Sequence, residues 1–282
     1  MNNDQAGRTP TGAVVRYLDR GEGRVAFDVQ GPEGAPLVIC LPGMGDLRQV
    51  FRFNVPSLLE AGLRVATMDL RGQGDSDTTF SRFEDFAAAS DLIALLEQLG
   101  GPALVYGNSM SSAAAVVAAA QRPDLVAGLV LTGAFIRNQP SSKAMEALMR
   151  AALARPWGPS VWIAYYAGLY KTRKPADFAD YKRRLAASMK RPGRWKAFQT
   201  LVKQLTHAEV EPYADQVKVP ALVVMGAKDP DFKDPSGEAK FVAERLRGEA
   251  LLVEGAGHYP MTEFPEVVNP KVLEFAATVF GA

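Results

Sequence analysis

A serine stands in this sequence where a nucleophile would need to be. Ser109 is the centre of Gly-Asn-Ser-Met-Ser (residues 107–111), which follows an apolar run and precedes a segment rich in serine and alanine. A nucleophile on a sharp strand-to-helix turn needs small neighbours, because the strained backbone brings strand and helix close together. The helix N-terminus also favours developing negative charge. The pattern predicts a nucleophilic serine, although a tight turn with a capping serine would give the same five residues.

A serine hydroxyl needs a base beside it at neutral pH, and the chain contains two histidines, His207 and His258. His207 lies in a helix-like stretch, where a packing or surface role is expected. His258 lies in a Gly-rich loop directly after a short apolar run. Loops at the carboxyl ends of strands carry the functional groups of α/β sheets, so His258 is the predicted base.

The base must be oriented by a carboxylate, and Asp229 follows an apolar run that ends at Gly226. Its position three residues past the strand end keeps it at the sheet edge. Asp231 and Asp234 lie nearby and could take its place. The chain order serine, aspartate, histidine is that of one class of catalytic triads.

Acyl transfer also requires N–H donors for the developing oxyanion. The run ending at Leu41 is followed by Pro-Gly-Met-Gly (residues 42–45), a Gly-flanked turn. The backbone N–H groups of Met44 and Met110 are the predicted donors. Gly43 is predicted to contact the substrate.

These residues must be positioned by a sheet, and the apolar pattern predicts one. Two alternating segments, 14–18 and 24–30, predict a half-exposed hairpin at a sheet edge. Short apolar runs follow, separated by segments with helical spacing such as Phe83–Leu99. Buried strands that alternate with helices predict an α/β fold, a parallel sheet covered on both faces. The runs are 37–41, 65–68, 103–106, 125–131, 221–225 and 251–253.

The stretch 137–212 interrupts this alternation. It contains helix-like segments broken by prolines and carries 15 Lys or Arg against 5 Asp or Glu, whereas the whole chain has a net charge of +1. We interpret it as a helical cap inserted into a core formed by residues 13–136 and 213–282, with residues 1–12 as a flexible tail. Trp162 and Tyr166 lie on an aromatic stripe with helical spacing. Such a stripe more often packs a cap against its core than lines a substrate pocket, but if the cap contacts the substrate, these two residues are the predicted contacts.

Four motifs in order resemble the α/β-hydrolases of the capped esterase, lactonase and C–C hydrolase type. The resemblance implies a mostly parallel eight-stranded sheet, a Ser109–Asp229–His258 triad and a cap over the site. Pro42 stands where many relatives have histidine, and Ser111 replaces a glycine. The motifs are 41–45 (Leu-Pro-Gly-Met-Gly), 68–76 (Met-Asp-Leu-Arg-Gly-Gln-Gly-Asp-Ser), 107–111 and 257–265 (Gly-His-Tyr-Pro-Met-Thr-Glu-Phe-Pro).

Composition excludes several other classes of protein. The near-neutral charge gives no sign of nucleic acid or membrane-surface binding. The single cysteine, Cys40, sits in an apolar run and is expected to be a small buried hydrophobe. No run approaches the roughly 18 apolar residues of a membrane span, and no secretory signal is visible, so a cytoplasmic location is expected.

The sequence therefore predicts a serine hydrolase that cleaves an ester or lactone without metal or cofactor. The expected partner is a small-molecule substrate, bulky and apolar, and the basic insertion would suit an anionic group on it. A C–C bond hydrolase, a biosynthetic tailoring enzyme or cyclase, and a non-catalytic small-molecule receptor remain alternatives on the same scaffold. Dehalogenases and epoxide hydrolases are disfavoured because those relatives have aspartate at the position of Ser109.

Overall fold

The computed structural model describes residues 13–140 and 143–281. The strands of its sheet are β1 Arg16–Asp19, β2 Arg24–Gln30, β3 Leu37–Leu41, β4 Arg64–Met68, β5 Ala103–Asn108, β6 Val126–Thr132, β7 Ala221–Gly226 and β8 Glu249–Val253. These eight strands lie in the order β1-β2-β4-β3-β5-β6-β7-β8. Strand β2 is antiparallel to β1 and β4, and the other neighbours are parallel. The predicted α/β class and eight-stranded sheet are confirmed.

Helices connect the strands. The bounds are a 3-10 helix Arg48–Phe53, then α1 Val55–Glu60, α2 Asp85–Leu99, α3 Met110–Gln121, α4 Lys143–Ala152, α5 Gly158–Gly168, α6 Phe178–Lys190, α7 Arg194–Gln204, α8 Glu211–Ala214, α9 Pro235–Leu246, α10 Pro260–Glu263 and α11 Pro265–Phe280. Helices α4 to α8 all lie between β6 and β7. The division of the chain into core, cap and tail stays a prediction, and residues 1–12 fall outside the described part.

Two hydrophobic clusters cover the two faces of the sheet. Successive residues of β3 alternate between them: Ile39 packs with α2 and α3, whereas Val38 and Cys40 pack on the face of α11. This alternation is what a doubly covered parallel sheet requires, because successive side chains point to opposite faces. Cys40 is fully buried and free, as expected for a small hydrophobe.

The hairpin prediction was wrong in one respect. Strand β1 is largely exposed, but residues 25–28 of β2 are buried on both faces. β2 is buried because it is the second strand of the sheet and lies between β1 and β4. On the face where polar residues were expected to be exposed, Arg48 covers Asp28, and its Nε donates to the Asp28 carboxylate at 2.9 Å.

Strand order brings the functional loops together. From β3 the sheet continues to β4 on one side and to β5 on the other, so the order reverses beside β3. Ligands of open α/β sheets bind outside the carboxyl ends of strands at such a reversal. The segments that follow β3, β5, β6, β7 and β8 all leave this same edge of the sheet.

The described helices include none that is both long and apolar enough to cross a lipid bilayer.

Candidate active site

Ser109 occupies the turn between β5 and α3 with a backbone φ of 55° and ψ of −123°. Within the described residues, only Ser109 and Arg247 are non-glycine residues with positive φ. Such a conformation costs about 1–3 kcal/mol and concentrates at functional sites. The Ser109 N–H donates to the Thr132 carbonyl at 2.8 Å, which fixes the turn against β6. The side chain therefore stands on a rigid, strained turn and is partly exposed.

The small neighbours of Ser109 are required by space. A Cβ on Gly107 would lie 2.7 Å from the Ser111 carbonyl oxygen, and a Cβ on Gly43 would lie 2.9 Å from the Ser109 Cβ. Separations under 3 Å cannot be accommodated without movement of the backbone. The close packing of strand, turn and helix expected from the sequence is present, and the loop after β3 closely approaches the serine.

His258 and Asp229 form a buried pair. His258 Nδ1 lies 2.7 Å from Asp229 Oδ2, and both residues are 2% exposed. A carboxylate can only accept, so Nδ1 carries a proton, and in the neutral imidazole Nε2 is the base nitrogen. The imidazole also lies against the end of β6, because a Cβ on Gly133 would be 2.9 Å from His258 Nδ1. Gly133 follows Thr132, the residue bonded to the serine N–H, so histidine and serine share one corner of the sheet edge.

The charge of His258 is set by its surroundings. Burial favours the neutral imidazole, but the carboxylates of Asp229 and Asp231 outweigh it and raise the pKa of His258 to about 9. A buried cation is thus stabilised by adjacent anions. This is the electrostatic environment that an imidazolium formed during catalysis needs.

The loop after β3 is held on both sides. Ser111 Oγ donates to the Pro42 carbonyl at 2.5 Å, and Trp162 Nε1 donates to the Gly45 carbonyl at 3.1 Å. Ser111 is one of the two departures from the family pattern, and its hydroxyl has a defined structural use. Between these anchors lies Met44, whose N–H is a predicted oxyanion donor together with that of Met110, the first residue of α3.

Helix α5 lies across the loops that carry the site. Trp162 contacts the loop after β3, Tyr165 donates from its hydroxyl to Asp231 in the loop after β7, and the Leu169 carbonyl accepts from the His258 N–H at 3.0 Å. The insertion thus bonds to three loops of the sheet edge. From their three/four spacing, Trp162, Tyr165 and Leu169 were interpreted as one stripe that more often packs the cap on the core. The hydrogen bonds from this stripe to Asp231 and His258 were not predicted.

Trp162 and Tyr166 were predicted to contact substrate. Trp162 is 5% exposed and packs on Phe198, with ring centroids 4.6 Å apart. Tyr166 is fully buried, and its hydroxyl lies 3.1 Å from that of Tyr170. These contacts correspond to the packing interpretation of the aromatic stripe, and a substrate contact for either residue stays a prediction.

Asp46 is a buried residue of the loop after β3. The Tyr181 hydroxyl donates to its Oδ1 at 2.6 Å, and burial raises the pKa of Asp46 to about 6. Its charge therefore changes near pH 6, in the loop that also carries the predicted oxyanion donor Met44. Sequence reasoning did not identify this residue.

The other histidine plays a different part. His207 is 7% exposed, its Nδ1 lies 2.7 Å from Asp85 Oδ2, and its ring stacks on Phe135. It belongs to the packing between the insertion and α2, as the sequence suggested.

Possible metal ligands coincide with the residues already described. Within the described residues, Asp229, Asp231 and His258 offer donor atoms within 4.8 Å of one another. The imidazole Nδ1 among them is bonded to a carboxylate, which is the arrangement of an acid–base pair. We assign no metal to this group.

The model of the alpha/beta hydrolase family matches residues 38–271, and the chain belongs to that family. The resemblance drawn from the four motifs is thereby confirmed.

Individual relatives indicate the range of this family. The chain is 31% identical over 241 residues to a pimeloyl-(acyl-carrier protein) methyl ester esterase of Neisseria meningitidis serogroup B, covering 83% of this chain and 90% of the relative. It is 27% identical to the Karrikin insensitive 2 receptor IA of Petunia hybrida, over 85% of this chain and 90% of the receptor. The solved structure of a thermophilic esterase from Thermogutta terrifontis has the same fold, with a TM-score of 0.77 and 23% identity. The match covers 95% of this chain and 99% of the esterase.

Proposed function

We propose that this chain hydrolyses a carboxylic ester or lactone through an acyl-enzyme on Ser109. The observation that carries the proposal is the buried His258–Asp229 pair, with Nδ1 and Oδ2 2.7 Å apart, at the sheet corner that holds the strained serine. His258 Nε2 takes the proton of Ser109 Oγ as the oxygen attacks the carbonyl carbon. Asp229 holds the tautomer and stabilises the imidazolium.

Both halves of the reaction use the same groups. In acylation, His258 passes its proton to the leaving alkoxide. In deacylation it takes a proton from the water that attacks the acyl-enzyme, and it returns that proton to Ser109 Oγ as the bond to the acyl group breaks and the acid is released. The N–H groups of Met44 and Met110 would hold the oxyanion in both steps. Each step needs only protein groups and water.

The relatives support ester chemistry. A curated relative that is 31% identical cleaves a methyl ester, as its name states. The aromatic residues of α5 and α7 favour a bulky apolar substrate. A C–C bond hydrolase or a tailoring enzyme would use the same three side chains, and a panel of esters, lactones and diketones would distinguish these reactions.

Replacement of the nucleophile tests the proposal. Ser109→Ala should lower kcat for p-nitrophenyl esters by at least about 10³-fold, since a triad acts as a unit. The fold should be unchanged, because alanine meets no more strain at this φ than serine does. A fluorophosphonate probe should label Ser109 in the wild-type protein. Ser112→Ala is the control, since its hydroxyl lies in the same helix and bonds the Gly107 carbonyl at 3.4 Å. Wild-type turnover in Ser109→Ala would refute the proposal.

A receptor function is the second candidate, because the similarity to the Petunia receptor spans 85% of the chain. The bonds from α5 and from Leu169, the residue that follows it, to three site loops would let a bound ligand alter the surface of the insertion. A receptor would show ligand-dependent thermal shifts with very slow turnover. Fast multiple turnover of the same compounds would exclude it.

A further inference from the structure

A second carboxylate faces the histidine. Asp231 Oδ2 lies 3.6 Å from His258 Nδ1, and the Asp231 side chain is 15% exposed. Its own N–H donates to Asp229 Oδ1 at 3.0 Å, so the two aspartates are fixed to each other. Both carboxylates thus point at one imidazole nitrogen, one at hydrogen-bond distance and the other at ion-pair distance.

Asp231 is held by the insertion. The Tyr165 hydroxyl, on helix α5, donates to Asp231 Oδ1, which leaves Oδ2 directed toward the imidazole. The Tyr165 ring packs on Trp162, with centroids 5.2 Å apart, and Trp162 is bonded to the loop after β3. The position of Asp231 therefore depends on α5 lying over the site.

We infer that Asp231 is a second carboxylate partner of the His258 imidazole, a positioning residue kept in place by Tyr165. This inference rests on the proposed function for its catalytic meaning. The loop after β7 thus supplies two carboxylates to the His258 imidazole, and the insertion holds the second of them, that of Asp231. When Asp229 is neutralised, Asp231 is the acceptor that remains near Nδ1.

Other groups around the imidazole act in the same direction or carry no charge. Asp46, in the loop after β3, also raises the pKa of His258. Tyr259 and Phe135 present rings at 5.2 and 6.1 Å. Lys171, beyond α5, favours the ionised form of Asp231, although burial raises the pKa of that carboxyl. Three carboxylates thus act on the imidazole, and the insertion holds two of them, Asp46 through Tyr181 and Asp231 through Tyr165. Asp231 is the one of these two whose oxygen lies at ion-pair distance from His258 Nδ1, 3.6 Å.

Proton NMR of the imidazoles tests the inference without reference to hydrolysis. The chain has two histidines, and the signal missing in His258→Gln identifies that of His258. Asp231→Asn should lower the pKa of His258 by about one unit, because an anion within about 4–6 Å is lost. Tyr165→Phe should lower it by less. Asp234→Asn is the matched control: Asp234 is in the same loop, but its carboxylate caps α9 through the Gly237 N–H at 2.9 Å. An unchanged titration in Asp231→Asn, or an equal shift in Asp234→Asn, would overturn the inference.

Kinetics provide the second measurement. The single variant Asp229→Asn should retain residual esterase activity. The double variant, with Asp229→Asn and Asp231→Asn, should have a kcat about tenfold lower than the single variant. Melting temperatures of all variants are compared as the control for folding. Equal rates in the single and double variants would contradict the role of Asp231. If instead Ser109→Ala remains active, the proposed hydrolysis fails while the imidazole titration still decides the carboxylate pairing.

Discussion

At the scale of single residues, the environment of His258 determines the pH range in which the proposed base can accept a proton. The carboxylates of Asp229 and Asp231 oppose the effect of burial and raise the pKa of His258 to about 9. A general base must be neutral to accept a proton, so the competent fraction grows as the pH rises through that pKa. The predicted mechanism therefore favours alkaline conditions.

The corresponding pH profile can be measured with a neutral ester. We expect log kcat/KM to rise between pH 7 and about 9, with a slope of about one, and to level off above the pKa of His258. The enzyme-free rate at each pH is the control. A profile that is level from pH 6 upward would show that the imidazole is already neutral there.

At the scale of elements, the start of α3 and the loop after β3 form one unit. Ser111 Oγ donates to the Pro42 carbonyl at 2.5 Å, and Gly43 lies against the serine turn. The first N–H groups of the helix and the Met44 N–H thereby keep a fixed spacing. A glycine at position 111 would give the same turn without this bond.

Removal of that bond should affect the transition state more than substrate binding. Ser111→Ala is expected to lower kcat by about tenfold with little change in KM, because the predicted oxyanion donors, the N–H groups of Met44 and Met110, lose a fixed position while remaining present. Ser112→Ala, one residue further along the same buried turn, should leave both constants near wild type. Identical kinetics in the two variants would mean that the Pro42 contact does not position the donors.

At the scale of the whole molecule, charge is distributed unevenly. The stretch 137–212 carries 15 basic and 5 acidic residues, although the net charge of the chain is +1. Arg183 of α6 is among the exposed ones, with a side chain 73% accessible. A basic surface above a cleft concentrates anions and accelerates their association.

This asymmetry predicts a salt effect that depends on the substrate. For a carboxylate-bearing ester, kcat/KM should fall as ionic strength rises from 0.01 to 0.5 M, since screening shortens the Debye length from about 30 Å to a few ångströms. A neutral ester of the same size should show little change. Salt-independent values for both esters would remove the steering hypothesis.

The sequence by itself determined the class of fold and the residue types of the site. Apolar runs of three to seven residues predict the strands directly, and Ser109, Asp229 and His258 each follow such a run at a strand end. These are local patterns, and in a parallel sheet strand ends converge at one edge. The burial of β2 was not visible, because it depends on which strands flank it and on Arg48 covering Asp28.

Only the tertiary structure decided how the insertion meets the core. The Tyr165–Asp231 bond joins residues 66 positions apart, and the Ser111–Pro42 bond joins residues 69 apart. Neither pair has a local signature, since each arises from the packing of whole helices on the sheet edge. The predicted identity of the reacting residues follows from chain order and local pattern. Their burial, their charge and the contacts that hold them follow from distant segments meeting in space.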